Sequence, residues 1–295
     1  MRIFLYTLFA LVAFAFNSIL CRLALRGDEA DAAGFTFLRL VSGAGALLAI
    51  VYLANRVGGG SAGALIPMHR DAARHAGSWQ SASFLFLYAV CFSFAYLGLT
   101  AGTGALVLFG SVQLTMIAVA VVRGERPSVL EWLGLSIAIG GLVYLVFPGL
   151  QSPPLLSSAL MAAAGAAWGF YTLRGKGSGD PLRDTTGNFV RSIPMAAVVA
   201  LIFLPNINLS TRGVVLAIIS GAVTSGVGYT IWYAALKHHT AVRASVLQLA
   251  VPLLTAVLGV VLLAEVFTAR LWIAALLILG GIALTIFGRS AKARA

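Results

Sequence analysis

The chain is 295 residues long, 60% hydrophobic and 10% charged, with a formal net charge of +11. A soluble domain needs about 25% charged residues to solvate its surface, so this composition, with a mean hydropathy of +0.97, excludes a soluble enzyme, a disordered chain and an ordinary nucleic-acid-binding domain. The two cysteines, Cys21 and Cys91, lie inside apolar runs and supply neither a disulfide framework nor metal spacing.

A helix needs about 20 mostly apolar residues to cross a bilayer, because the backbone must satisfy its own hydrogen bonds in lipid. In chain order ten runs meet that need: Ile3–Leu25, Ala33–Ala54, Ser81–Leu99, Gly102–Val122, Val129–Phe147, Leu155–Leu173, Gly187–Leu204, Gly213–Leu236, Thr240–Leu263 and Leu271–Gly288. No charge occurs between Ser81 and Val122, a stretch too long for one span, so a turn is expected at Thr100–Gly102. Arg2 and the Ala13-Phe14-Ala15 triplet resemble a secretion signal, but the apolar run continues to Leu25. The segment is therefore expected to remain as the first span.

The basic residues are distributed unevenly. With a cytoplasmic N-terminus, the inner loops and ends hold thirteen of them, from Arg2 and Arg56 to Lys292 and Arg294. The outer loops hold only Arg26, Arg212 and Arg270, while Arg22, Arg39, Arg191 and Arg243 lie within spans. Basic residues are retained on the cytoplasmic side, so both termini are expected inside. The positive balance is read as topology, with no nucleic-acid partner.

The halves resemble each other. At an offset of 152 residues Phe16–Arg22 aligns with Trp168–Arg174, and Phe37-Leu38-Arg39 with Phe189-Val190-Arg191. At an offset of 140, Arg123-Gly124-Glu125 aligns with Leu263-Ala264-Glu265, Trp132 with Trp272, and Gly140-Gly141 with Gly280-Gly281. The offset changes because residues 55–80 form a longer loop beginning Gly58-Gly59-Gly60-Ser61, a flexible composition. Residues 1–150 and 151–295 are thus expected to form two repeats of five spans. An odd number of spans makes the second copy enter the membrane from the opposite side. Inverted repeats support alternating access to a site near the midplane.

With these correspondences and its small-residue-rich later spans, the chain resembles the EamA branch of the drug/metabolite transporter (DMT) superfamily from Phe4 to Gly288. Within that family it looks most like the YddG-type exporters of aromatic and other amino acids. The resemblance implies an inner-membrane basket of ten helices around a central cavity, no cofactor, and a small-molecule substrate. It leaves lipophilic cations such as methyl viologen, nucleotide sugars and nucleobases as alternative solutes.

Solute contacts are sought among polar and aromatic residues deep in spans. Asn17, Gln113 and Gln248 carry amides that either meet a solute or join neighbouring helices. Tyr88, Phe92 and Tyr96 are four apart on one face of span three. Trp168 and Tyr171 stand in span six, and Tyr229, Trp232 and Tyr233 in span eight. These rings either wall a cavity, stacking a ring or holding a cation, or form helix packing and an interfacial belt; the belt is expected for Tyr96, Trp232 and Tyr233, near span ends. Pro252 is expected to kink span nine as a hinge. The double glycines are read as packing positions. The embedded arginines either anchor a substrate carboxylate or snorkel and pair; snorkelling or pairing is expected, with Arg22 and Arg39 near Asp28, Glu29 and Asp31, and Arg243, close to Gln248, is the exception assigned to substrate. No Asp or Glu lies deep in a span, which argues against a carboxylate proton relay. His69, His75 and His238-His239 fall in inner loops and are not expected to bind metal. No catalytic motif occurs, which sets an intramembrane enzyme or receptor behind a carrier; the oligomeric state stays open, monomer included.

Overall fold

The computed structural model describes residues 2–57, 76–124, 128–147, 149, 152–176, 178–236, 238 and 247–292. Among them ten helices succeed one another: α1 (Arg2–Arg26), α2 (Ala32–Val57), α3 (Trp79–Ala95), α4 (Ala101–Val122), α5 (Val129–Val146), α6 (Leu155–Gly175), α7 (Pro181–Ile202), α8 (Thr211–Leu236), α9 (Ala250–Leu263) and α10 (Ala269–Lys292). Eight are long and apolar enough to span a bilayer, and α3 and α9 are shorter apolar helices. The chain is an all-α multi-pass membrane protein. Leu201, Val261, Leu276 and Phe287 are among many large apolar side chains left exposed on the outside of the bundle, which suits a surface solvated by lipid.

Helix ends follow from local chemistry. The turn expected at Thr100–Gly102 falls slightly earlier: α3 stops at Ala95, and the Thr100 hydroxyl caps α4 by accepting from Thr103 N. Ser128 and Glu131 form a reciprocal capping box at the start of α5. Helix α7 begins at Pro181, earlier than hydropathy suggests, because Asp180 accepts from Arg183 N and proline suits the first helical position. Pro252 occupies the first turn of α9 rather than its middle. Residues 239–246, which include Arg243, lie outside the described residues.

Taking the face where α1 begins as the near face, successive helices alternate in direction. Far-face loops meet each other: Ala30 bridges Leu209, and Asp31 accepts from Asn208 N and Gly34 N. Near-face segments do likewise, with Gly77 N donating to Asp184 and Ser78 N to Asn188. In the interior α1 packs on α8 and α9 while α6 packs on α3 and α4; α2 packs on α7, and α5 on α10. Exchanging α1 with α6, α3 with α8 and α4 with α9 converts one set of pairs into the other. The corners after α4 and α9 also share a backbone device, a left-handed residue just before the glutamate position, Gly124 at φ 90° and Ala264 at φ 50°.

One irregularity positions the centre. Within α8, Ser220–Val227 winds as a π-helix, a wide turn frequently found at functional sites. A side chain at Gly221 would collide with the Arg39 carbonyl oxygen, so α2 crosses α8 backbone to backbone. Glycine at 221 makes that approach sterically available.

Candidate transport site

Asn17 on α1 meets the wide turn of α8. Its Nδ2 donates to Tyr229 Oη at 3.0 Å and to Ser225 Oγ at 3.2 Å. Its Oδ1 accepts from Ser220 Oγ at 2.7 Å and Thr224 Oγ1 at 2.9 Å. The wide turn gathers these three hydroxyls round one amide, and the amide is fully engaged in holding α1 to α8. Helix-joining hydrogen bonds in membranes average about 0.6 kcal/mol each, so Asn17→Ala is expected to cost about 2 kcal/mol, measured by denaturant unfolding in mixed micelles. An unchanged midpoint would show that α8 finds other partners.

Arg39 does not snorkel. Eight residues into α2, it is 1% exposed, turned inward against the chain's centre rather than towards Asp28, Glu29 or Asp31. Its Nε donates to Ser225 Oγ at 3.0 Å, and its NH2 group to Tyr229 Oη at 2.9 Å and Tyr88 Oη at 3.1 Å. The guanidinium carbon lies 4.9 Å from the Phe92 ring centre and 5.3 Å from that of Tyr88, within cation–π range. Its NH1 group is buried without a hydrogen-bond partner among the described residues. The expectation that this residue snorkels or pairs at the interface is thus corrected, and Ser220, Thr224 and Ser225 are not among the expected polar contacts.

Aromatic rings enclose the adjoining space. Trp168 packs on Tyr229 at 4.6 Å, Tyr88 at 5.0 Å, Tyr171 at 5.5 Å and Phe14 at 5.9 Å between ring centres. Phe14, Asn17, Tyr88, Phe92, Trp168 and Tyr229 line a central cavity of about 10 Å³, room for one water-sized sphere. Five of the nine residues singled out as solute contacts, namely Asn17, Tyr88, Phe92, Trp168 and Tyr229, therefore come together. Gln113 is buried on α4 with its Nε2 unpartnered, and Gln248 is buried before α9 with its Oε1 unpartnered; neither lines this cavity.

Tyr233 belongs to a second space, a vestibule of about 270 Å³ at the near face between the ends of α3, α6, α7 and α8. Its polar wall includes Arg174, which donates from Nε to Ser81 Oγ at 2.9 Å, and Asn188, which donates to Tyr171 Oη at 3.4 Å. Tyr171 and Tyr233 meet edge to face at 6.0 Å between vestibule and centre. Tyr96, Trp232 and Tyr233 are all buried, so these rings pack inward and form no belt.

At the far face, α1, the start of α4 and the corner after α9 are tied together. Arg22 Nε lies 3.3 Å from Glu265 Oε1, and its NH1 group donates to Tyr96 O at 2.8 Å. Glu265 Oε2 accepts from Ala101 N, the first residue of α4, at 2.8 Å, where the helix dipole favours a negative charge. Arg22 thus pairs with Glu265 from the chain's other half and not with the neighbouring acidic loop. Arg191 donates to Ala76 O and Gly187 O, anchoring the segment before α3. Among the described residues no group of three or more His, Cys, Asp or Glu comes together.

The arrangement has relatives. The model of the EamA-like transporter family matches residues 155–287. Over 292 residues the chain is 44% identical to the uncharacterized protein PA1977 of Pseudomonas aeruginosa, covering 99% of this chain and 97% of that one. A crystal structure of a protein at 18% identity matches with a TM-score of 0.62 and covers 96% of both chains. At that identity the likeness shows the fold alone.

Proposed function

We propose an exporter of amino acids, aromatic ones among them, from the premise that the chain belongs to the EamA-like transporter family. In this reading residues 1–150 and 151–295 are inverted repeats that rock about the aromatic centre and expose it to either face in turn. The near face is the cytoplasm, as the basic residues of that side require, and the chain sits in the inner membrane as a YddG-type carrier. The observation that carries the reading is a closed, ring-walled centre placed between a vestibule on one face and an ionic closure on the other. A solute entering past Tyr171 and Tyr233 would push the Trp168 ring aside and stack against it.

The repeat also supplies the opposite closure. The offset of 152 that relates Arg22 to Arg174 places Arg174 at the near face, where it would take part in closing that end. In the described state Arg174 donates to Ser81 Oγ on the wall of the vestibule.

Counterflow of labelled phenylalanine in proteoliposomes tests the proposal. Trp168→Ala is expected to lower the flux about tenfold with folding intact, since a lost aromatic pair and its buried area together amount to more than 1.4 kcal/mol. Wild-type vesicles that move sugars or nucleobases but no amino acid would overturn the substrate assignment.

A further inference from the structure

The centre has more hydrogen-bond donors than acceptors. Tyr229 Oη accepts from Asn17 and Arg39 and donates to Tyr88 Oη at 3.2 Å. Tyr88 Oη accepts from Tyr229 and from Arg39. The pair holds two phenolic protons and one bond between them, so among the described residues one proton is left without an acceptor. The Arg39 NH1 group adds further donors without a partner. Ser225 Oγ already accepts from both Arg39 and Asn17, so it offers these protons little. Every atom bonded to the guanidinium is neutral, and no carboxylate forms an ion pair with it among the described residues.

A guanidinium at this depth is costly without a counter-charge. The hydroxyls and the Tyr88 and Phe92 faces spread its charge but do not neutralise it. The missing component is an anion with two acceptor oxygens, and the place for it adjoins Arg39: Tyr88, Phe92 and Tyr229, which Arg39 contacts, also line the central cavity. The remaining wall is Phe14, Leu108, Phe109 and Trp168 with the neutral Asn17 amide, and it carries no group for a second charge.

We propose that Arg39 and Tyr88 bind the carboxylate of the transported solute, and that the protein therefore selects carboxylates carrying an apolar or aromatic body and rejects cations. The inference rests on the carrier reading above and narrows it. One oxygen accepts from the Tyr88 hydroxyl and the other from Arg39 NH1, while the body lies against Trp168. The same centre that could hold a cation against its ring faces is closed to one by the fixed positive charge. A solute amine would have to lie towards the single amide or the vestibule.

The test is a panel of one skeleton with different charges, presented to the purified full chain in detergent. Binding of phenylalanine, 3-phenylpropanoate, 2-phenylethylamine and methyl viologen would be read from tryptophan fluorescence and thermal shift, with counterflow in proteoliposomes alongside. The two carboxylates are expected to bind at least tenfold more tightly than the amine and the viologen. Arg39→Gln should abolish that preference and Arg39→Lys should restore part of it. Tyr88→Phe, which removes one hydroxyl and keeps the ring, should weaken the carboxylates and leave the cations unchanged. The inference is overturned if the amine or viologen binds as well as 3-phenylpropanoate, if neither carboxylate binds, or if Tyr88→Phe and Arg39→Gln both keep the wild-type order. Amino-acid flux with unaltered charge preference in Arg39→Gln would remove this site and leave the carrier standing. Arg39-dependent carboxylate binding without flux of any compound would do the reverse.

Discussion

Replacing Glu265 by alanine is expected to open the far end of the bundle and expose Cys21 to a thiol reagent confined to the far face. Glu265 joins three elements at one carboxylate: α1 through Arg22, the start of α4 through Ala101 N, and its own corner between α9 and α10. The ion pair is largely shielded, with the two side chains 16% and 8% exposed. Removing one member of a buried pair costs about 3–5 kcal/mol, because the remaining charge is left unpaired. Part of that cost falls on the closed state alone, since an opened Arg22 is hydrated. A shift of even 1.4 kcal/mol is about tenfold in the open population, so maleimide labelling should accelerate by about that factor or more. Cys21 is 0% exposed and adjoins Arg22, which makes it a native reporter once Cys91 is replaced by serine. Glu265→Gln keeps an acceptor for Ala101 N but loses the charge, and it should fall between wild type and alanine. Labelling of Cys21 that stays at the wild-type rate in folded Glu265→Ala would mean that other contacts, such as Arg26 NH1 to Leu263 O at 2.5 Å, close this end unaided.

The fold was readable from the sequence because lipid imposes one demand on every span. Hydropathy therefore located the helices to within a few residues wherever both faces of a helix are apolar. It failed at the start of α7, where Asp184, Thr185 and Asn188 line the vestibule and make a helical end look like a loop. The aromatic centre was also partly legible, since Tyr88 with Phe92 and Trp168 with Tyr171 repeat at helical spacing and lie deep in their spans.

Arg39 escaped for a different reason. Distance from a helix end decides whether an arginine can reach the interface, but rotation about the helix axis decides whether it does. Nothing within α2 states which face turns inward. The available signal lay on another helix, in the Ser220, Thr224 and Ser225 hydroxyls of a segment too polar to be plain packing. Likewise Arg22 was read against its neighbours in sequence, Asp28 and Glu29, whereas its partner Glu265 arrives through the packing of α9 on α1. Charge pairing in a bundle is a property of helix contacts, which a linear chain does not display.

The double glycines show the same distinction between pattern and placement, and they carry a sharp expectation: Gly281→Leu should leave little folded protein, while Gly280→Leu should be tolerated. Helices α5 and α10 cross at Gly134 and Gly281, where a side chain on either residue would stand 2.5 Å from the other's carbonyl oxygen. At Gly281 it would also meet Ala138 N at 2.6 Å. These neighbours are backbone atoms, so no rotamer change can relieve the overlap, and the helices must separate. Overpacking costs about 1–3 kcal/mol where side chains can adjust and more where they cannot. Between membrane helices the loss is not offset by hydrophobic burial, since close packing is itself the main attraction. Thr285, which bonds to Gly281 O and Glu131 O across this crossing, would be displaced as well. A side chain at Gly280, by contrast, meets nothing within 4 Å, and the same holds for Gly140. Monodisperse yield on size exclusion should fall about tenfold or more for Gly281→Leu, with Gly281→Ala intermediate and Gly280→Leu near wild type. Equal tolerance at positions 280 and 281 would mean that α5 and α10 do not cross at these glycines.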